Sequence, residues 1–310
     1  MADDYGDESG PAMITGRHGD KRRDDDPLDQ VQAGNRLWWE STPMSYDWRG
    51  ETELVPLSLE WYEEQDRRSA EVHRHFATDR VPFDRLIPYE ALRDKEVLEI
   101  GTGSGFHAEL LARAGARVTG IDLTESATER TSKRFELKGL PGSFERWDAE
   151  QDRAEFEGRF AFVWSWGVVH HSARTARIVR NIARWTTEDG AFAGMVYHRD
   201  STAALVALVR DWLIRGNLLE HSLDEALWRG TDGYTARFYP ADQWRDLLLG
   251  FFSDASVRVT GHETDAVPLP RGLRRKVAPR VSAGLKARIL ARAGGFVTFR
   301  ADRPLWAGPA

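Results

Sequence analysis

Glu96-Val97-Leu98-Glu99-Ile100-Gly101-Thr102-Gly103-Ser104-Gly105 is the stretch on which the fold turns. Val97, Leu98 and Ile100 read as part of a buried strand, and three glycines at alternate positions end it. Glycines at such a place allow a turn and let a ligand approach the backbone, while the next helix offers free N–H groups at its start. That helix reads from His107 to Arg113, stopping near Gly115. Working outward, Ala116 to Ile121 reads as a second strand and Ser126 to Leu137 as a helix. Gly142 to Trp147 is a short third strand, and Phe160 to Trp166 a fourth. A helix over Thr175 to Trp185 and a fifth strand over Gly190 to Tyr197 follow. Strands alternating with helices of this length predict parallel βαβ units in an α/β, doubly wound sheet.

Outside this core the alternation loosens. Residues 59–77 read as a charged helix with Leu59, Tyr62, Val72 and Phe76 available for one face, after an aromatic stretch from Trp38 to Trp48. Thr202 to Ile214 and Asp242 to Phe251 read as helices, with a turn at Gly230-Thr231-Asp232-Gly233 between them. Val257 to Thr260 and Phe296 to Arg300 read as two final strands separated by a helical insertion. The expected organisation is an acidic disordered leader over 1–30, a helical lid segment over 31–94 and an α/β core over 95–200. Residues 201–310 then hold cover helices, the last strands and the insertion.

Charge is unevenly spread along the 310 residues, whose formal net charge is −6. Residues 1–30 hold nine acids against four bases and few apolar side chains, too polar to offset the entropy of ordering. From Arg271 to Arg292 stand Arg271, Arg274, Arg275, Lys276, Arg280, Lys286, Arg288 and Arg292, without one acid. That run is either a solvated helix face or a contact for an anion or a membrane surface. With no cysteine, disulfides, thiolate metal sites and cysteine nucleophiles are excluded. The first residues show neither a basic n-region nor an apolar h-region, and no apolar run is long enough for a membrane helix, so a cytoplasmic protein is expected.

Ligands of an open α/β sheet bind beyond the carboxyl ends of its strands, near the switch in strand order. Those ends carry Glu99 with Gly101, Gly103 and Gly105, then Asp122, then Asp148, then Trp166, His170 and His171. A dinucleotide fingerprint would need glycine at 106, where Phe106 stands. Asp122 lies about 20 residues past the loop, where a carboxylate can hold ribose hydroxyls.

The pattern Glu-x-Gly-x-Gly-x-Gly resembles motif I of the class I S-adenosylmethionine-dependent methyltransferases. Trp166-Gly167-Val168-Val169-His170-His171-Ser172 resembles a Gly-Val-Leu-His-His run of the small-molecule members. The resemblance covers roughly residues 90–200 and implies a mostly parallel seven-stranded sheet with its last strand antiparallel. It implies S-adenosyl-L-methionine as cofactor, with S-adenosyl-L-homocysteine as product. Glu99, Gly101, Thr102, Gly103 and Gly105 would line its methionine and ribose part. Asp122, followed by Leu123, would hold the ribose hydroxyls, Asp148 the adenine amine, and Ala149 the ring through its N–H. Trp166 would lie beside the cofactor, and Tyr46 would contact it from the segment before the core.

Methyl transfer needs alignment, exclusion of water and, for some nucleophiles, a base. Candidates are His170, His171, His198, Asp200 and Tyr239; either of the paired histidines could equally be structural. Trp39, Tyr197 and Arg237 are substrate-side candidates, Arg237 as a partner for an anionic group or as an ordinary ion pair. No regular ligand spacing accompanies the histidines, so no metal is expected. The Asn/Asp-Pro-Pro-Tyr motif of nucleic-acid amino methyltransferases is absent, and a small-molecule substrate, possibly anionic, is favoured over nucleic acid. The alternatives are an aminopropyl-type transferase on the same fold and a non-catalytic cofactor-binding partner protein.

Overall fold

The computed structural model describes residues 27–44, 53–73, 76, 81–209, 222–229, 231–269 and 271–305. Two helices precede the core, α1 (Leu28–Ser41) and α2 (Leu59–Val72). The core runs β1 (Glu96–Ile100), α3 (Phe106–Arg113), β2 (Arg117–Asp122), α4 (Glu125–Lys138), β3 (Ser143–Arg146), β4 (Phe160–Trp166), α5 (Thr175–Trp185) and β5 (Thr186–Tyr197). After it come α6 (Thr202–Leu208), α7 (Leu223–Arg229), α8 (Ala241–Leu249) and β6 (Phe252–Thr260). Three helices, α9 (Glu263–Ala266), α10 (Arg271–Val277) and α11 (Ala283–Ala293), then lead to β7 (Phe296–Pro304).

The seven strands form one sheet in the order β3-β2-β1-β4-β5-β7-β6. Neighbours from β3 to β5 are parallel, and β7 lies antiparallel between β5 and β6. Strand order reverses between β1 and β4, which places the switch point at the glycine loop. Successive side chains of a strand point to opposite faces. Leu98 and Ile100 therefore enter a core with Ile178, Val179 and Ile182 of α5, whereas Val97 joins one with Ala108 and Leu111 of α3.

The two helices before the core are anchored to it by charge. Arg134 of α4, with no exposed surface, donates to Glu109 of α3 at 2.5 Å and to Asp66 of α2 at 2.6 Å. Lys138 joins both carboxylates, at 2.7 Å and 3.4 Å. Tyr62 of α2 donates its hydroxyl to the Arg130 carbonyl at 2.7 Å. Helix α1 is tied to α4 by Glu40, which accepts the N–H groups of Glu125 and Ser126, both at 3.0 Å. A carboxylate there satisfies donors that the first turn of α4 leaves open.

Several boundaries differ from the sequence expectation. The leader expected over 1–30 overlaps α1, which starts at Leu28; residues 1–26 lie outside the described residues. The α2 helix ends at Val72 rather than 77. Strand β5 begins at Thr186, because the polar Thr187-Glu188-Asp189 run continues past an irregularity opposite Phe160 and Phe162. Strand β6 begins at Phe252, which is fully buried opposite Pro304. Helix α7 had no counterpart in the sequence reading, and the far half of the helix expected over 202–214 falls outside the described residues.

Candidate active site

Above the switch point lies a cavity of about 710 Å³. The glycine loop, the ends of β2 and β4, and helices α1, α2 and α6 supply most of its wall, with residues 262–274 on the outer side. Its lining is dominated by apolar side chains, as ligand pockets for small organic molecules are.

Gly101 (φ 83°) is where the backbone must approach closely: a Cβ there would lie 2.2 Å from Val168. Gly103 opens away from neighbours, since an added Cβ would meet nothing within 4 Å. Both line the cavity with Thr102 and Ser104. Gly105 does not; a Cβ there would press on Thr131 and Arg134. Gly105, expected on the cofactor side, lets α3 pack closely against α4. Glu99 is likewise off the wall, buried beside His107 Nδ1 at 3.5 Å, and burial raises its pKa with His107 opposing.

Asp122 is on the wall at the end of β2. Its Oδ1 accepts the N–H and the hydroxyl of Thr124 at 2.9 and 2.8 Å, and its Oδ2 the N–H of Gly103 at 3.4 Å. Burial raises its pKa against the pull of those donors. Leu123, Trp147 and Ala149 continue the wall. Asp148 faces a second cavity of about 440 Å³, which shares Gln32, Leu123 and Trp147 with the first. It accepts from Gln32 Nε2 and the Glu150 N–H, both at 2.9 Å. Four buried polar atoms of residues on the main wall, Asn35 Oδ1, Thr102 Oγ1, His107 Nε2 and Trp147 Nε1, have no partner among the described residues. Buried polar atoms left so are costly unless a ligand or water completes them, so this wall suits a polar, nucleoside-sized group.

Trp166 lies on the wall, stacked on Trp164 at 5.5 Å, with its Nε1 donating to His73 Nε2 at 3.2 Å. His73 Nδ1 meets the Ser69 carbonyl at 2.9 Å, which sets the tautomer that lets Nε2 accept. His171 is on the wall too, its Nδ1 at 2.7 Å from the Thr235 carbonyl and its ring 5.1 Å from Trp39. That contact requires glycine at 233 (φ 82°), where a Cβ would come within 2.7 Å of the same Nδ1. Tyr197 lines the cavity and donates its hydroxyl to Asp232 at 2.7 Å.

The other proton-transfer candidates are not on the wall. His170 is fully buried between His171 and Tyr197, with both ring nitrogens unpartnered and burial holding its pKa well below the ordinary range. His198 is spent on the Gly294 carbonyl at 2.8 Å, stitching β5 to the start of β7. Tyr239 packs against Trp244 in the core, and Asp200 is exposed beyond β5. Arg237 points its guanidinium at the carbonyls of Ser172 and Ala173, so its expected anion-binding role is replaced by pinning the cover to the loop after β4. Tyr46 and Trp48 lie outside the described residues.

Sequence reasoning missed Gln32, Asn35 and His73. Asn35 is buried and donates to the His171 carbonyl at 2.6 Å. A polar residue inside an apolar helix pattern, as at Gln32 and Asn35 around Val31, was the available signal.

A family model described as a methyltransferase domain matches residues 97–190. The ubiquinone biosynthesis O-methyltransferase of Maricaulis maris is 32% identical over 141 residues, 44% of this chain and 54% of that protein. The protein of the same name from Ralstonia nicotianae is 31% identical over 166 residues, 54% and 64% of the two chains. The chain thus spans between about half and two thirds of these relatives' length. Among solved structures, an S-adenosylmethionine-dependent methyltransferase from Mesorhizobium loti aligns with a TM-score of 0.46 at 18% identity, over 68% of this chain and 92% of that one. The core is thus similar to a methyltransferase domain over residues 97–190, and the strand order and glycine loop are those of the class I methyltransferase fold.

Proposed function

We propose that the protein transfers a methyl group from S-adenosylmethionine to a hydroxyl of an apolar small molecule. The observation that carries this reading is one continuous cavity with a polar glycine-loop end and an apolar end roofed by α1, α6 and the 262–274 segment. The cofactor supplies an electrophilic methyl on its sulfonium when bound. Asp122 would accept the two ribose hydroxyls, Thr102 and Trp147 would gain the partners they lack, and the backbone at Gly101 and Gly103 would leave room for the chain between. Asp148, held by Gln32, would take the adenine amine, and the Ala149 N–H would serve the ring.

His171 is the residue placed to take a proton. With Nδ1–H donated to Thr235, the neutral ring carries its lone pair on Nε2. That nitrogen would accept the proton of a substrate hydroxyl held against it. Trp39, Tyr197 and Phe238 flank the substrate end and exclude water. The curated relatives named O-methyltransferases favour oxygen as the nucleophile.

Calorimetry with S-adenosylhomocysteine tests the cofactor half. Asp122→Ala removes charge-assisted hydrogen bonds and is expected to cost about 2–3 kcal/mol, roughly 30- to 150-fold in affinity. Unchanged affinity in a folded variant sinks the assignment. Product mass then separates methyl from aminopropyl transfer.

Asp122 also predicts the pH dependence. Its pKa is raised in the free protein by burial, and donated ribose hydroxyls favour the ionised form. Binding therefore lowers that pKa and releases protons, and affinity should fall as pH drops through the raised value. Titrations in two buffers of different ionisation enthalpy should report proton release on the acid side. Affinity independent of pH, with no proton release, contradicts the role.

A further inference from the structure

Antiparallel neighbours such as β6 and β7 need only a short hairpin, yet a three-helix connection joins them. Helix α11 buries none of its residues, and no described residue of α10 is buried. Leu273 and Leu285 are each 50% exposed. Along α11, Leu285 and Ile289 stand four apart on one strip; Arg288 and Arg292 run along one flank and Lys286 along the other. Arg275, Lys276 and Arg280, in the segment just before α11, are exposed, and no carboxylate occurs between 271 and 292. Lys286 reaches back to Glu263, but the outer cations face solvent. The neighbouring helix α6 and its C-cap add Leu205, Val206 and Val209 to the exposed apolar surface.

The same segment forms the outer wall of the cavity, through Pro268, Leu269 and Arg274, while Ala203, Val206 and Ala207 of α6 line it as well. We infer that α10 and α11 dock the protein on an anionic lipid bilayer, their leucines in the headgroup–acyl boundary and their cations on the lipid phosphates. Long basic side chains flanking an apolar strip match that boundary, because their stems lie in the apolar zone while the charges reach the headgroups. A polyanion such as RNA would use the charges but gain nothing from exposed leucines, so the combination favours lipid. Among the described residues no helix is long and apolar enough to cross a membrane, which makes the contact peripheral. Docking there sets the apolar cavity beside a lipid phase and brings an apolar substrate to its wall. The inference stands apart from the chemistry proposed above, since it concerns binding alone.

Flotation of the full chain with vesicles tests it. The protein should float with vesicles of phosphatidylcholine and phosphatidylglycerol about tenfold more than with phosphatidylcholine alone, and less so as salt rises. Two variants separate the contributions: Arg275→Glu/Lys276→Glu/Arg280→Glu, and Leu273→Ser/Leu285→Ser. All five positions are exposed, so both should melt as the wild type does, and each should lose most of the flotation. Wild type remaining in the bulk with the anionic vesicles overturns the inference. So does a leucine variant that floats normally, or retention on heparin without flotation, since either reduces the face to a polyanion site.

Discussion

Replacing Arg134 with methionine is expected to remove about 3–5 kcal/mol of folding free energy, the usual cost of breaking one side of a buried ion network. The side chain has no exposed surface and reaches carboxylates from two other helices, Glu109 of α3 and Asp66 of α2. Methionine fills much of the volume but leaves those carboxylates short of a partner in a dry place. Lys138 and Arg113 still contact Glu109, which argues for the lower end of the range. Urea unfolding measures it, and a loss under about 1 kcal/mol would show that the remaining cations compensate fully. Because Asp66 lies on α2, the variant should also loosen that helix, and limited proteolysis should cut within residues 53–73 before the core.

His171→Ala is expected to lower kcat by about 10²–10⁴-fold while leaving S-adenosylhomocysteine affinity within a factor of about three, as removal of a general base does. The ring contacts Thr235 and Trp39 rather than the glycine loop, so binding of the cofactor product should not depend on it. His171→Gln keeps a side chain of similar reach, and its melting temperature checks that the cover segment has not shifted. A kcat near wild type in either variant removes His171 from the chemistry, and the nucleophile would then be one that loses no proton in the slow step. A raised Michaelis constant with unchanged kcat would make it a binding residue instead.

The core was legible because its rules are local. Val97, Leu98 and Ile100 before three glycines, and the i, i+3, i+4, i+7 spacing of Thr175, Ile178, Val179 and Ile182 in α5, state their elements through backbone preference and burial. The strand ends then follow, since alternating strands and helices leave the carboxyl ends on one edge of the sheet. Asp122 and Trp166 reach the cavity on that logic, and so does His171.

What could not be read were choices between side chains that share one strand end. His170 and His171 are adjacent, yet only His171 lines the cavity, because the short helical turn over Val169–His171 sends the neighbouring ring into the core. Arg237 carries the charge expected of an anion site, but two backbone carbonyls from a segment over 60 positions away claim its donors. Asn35 lies in α1 and His73 caps the end of α2, both before the core in sequence, and only the packing of α1 and α2 over the switch point brings them to the wall. The sequence by itself determined the sheet, the glycine turn and the carboxylate at the end of β2, since each follows from neighbours within a few residues. Tertiary structure alone decided which histidine meets the cavity, which arginine is consumed and which helices roof the site, because those depend on hydrogen-bond partners that chain folding brings from afar.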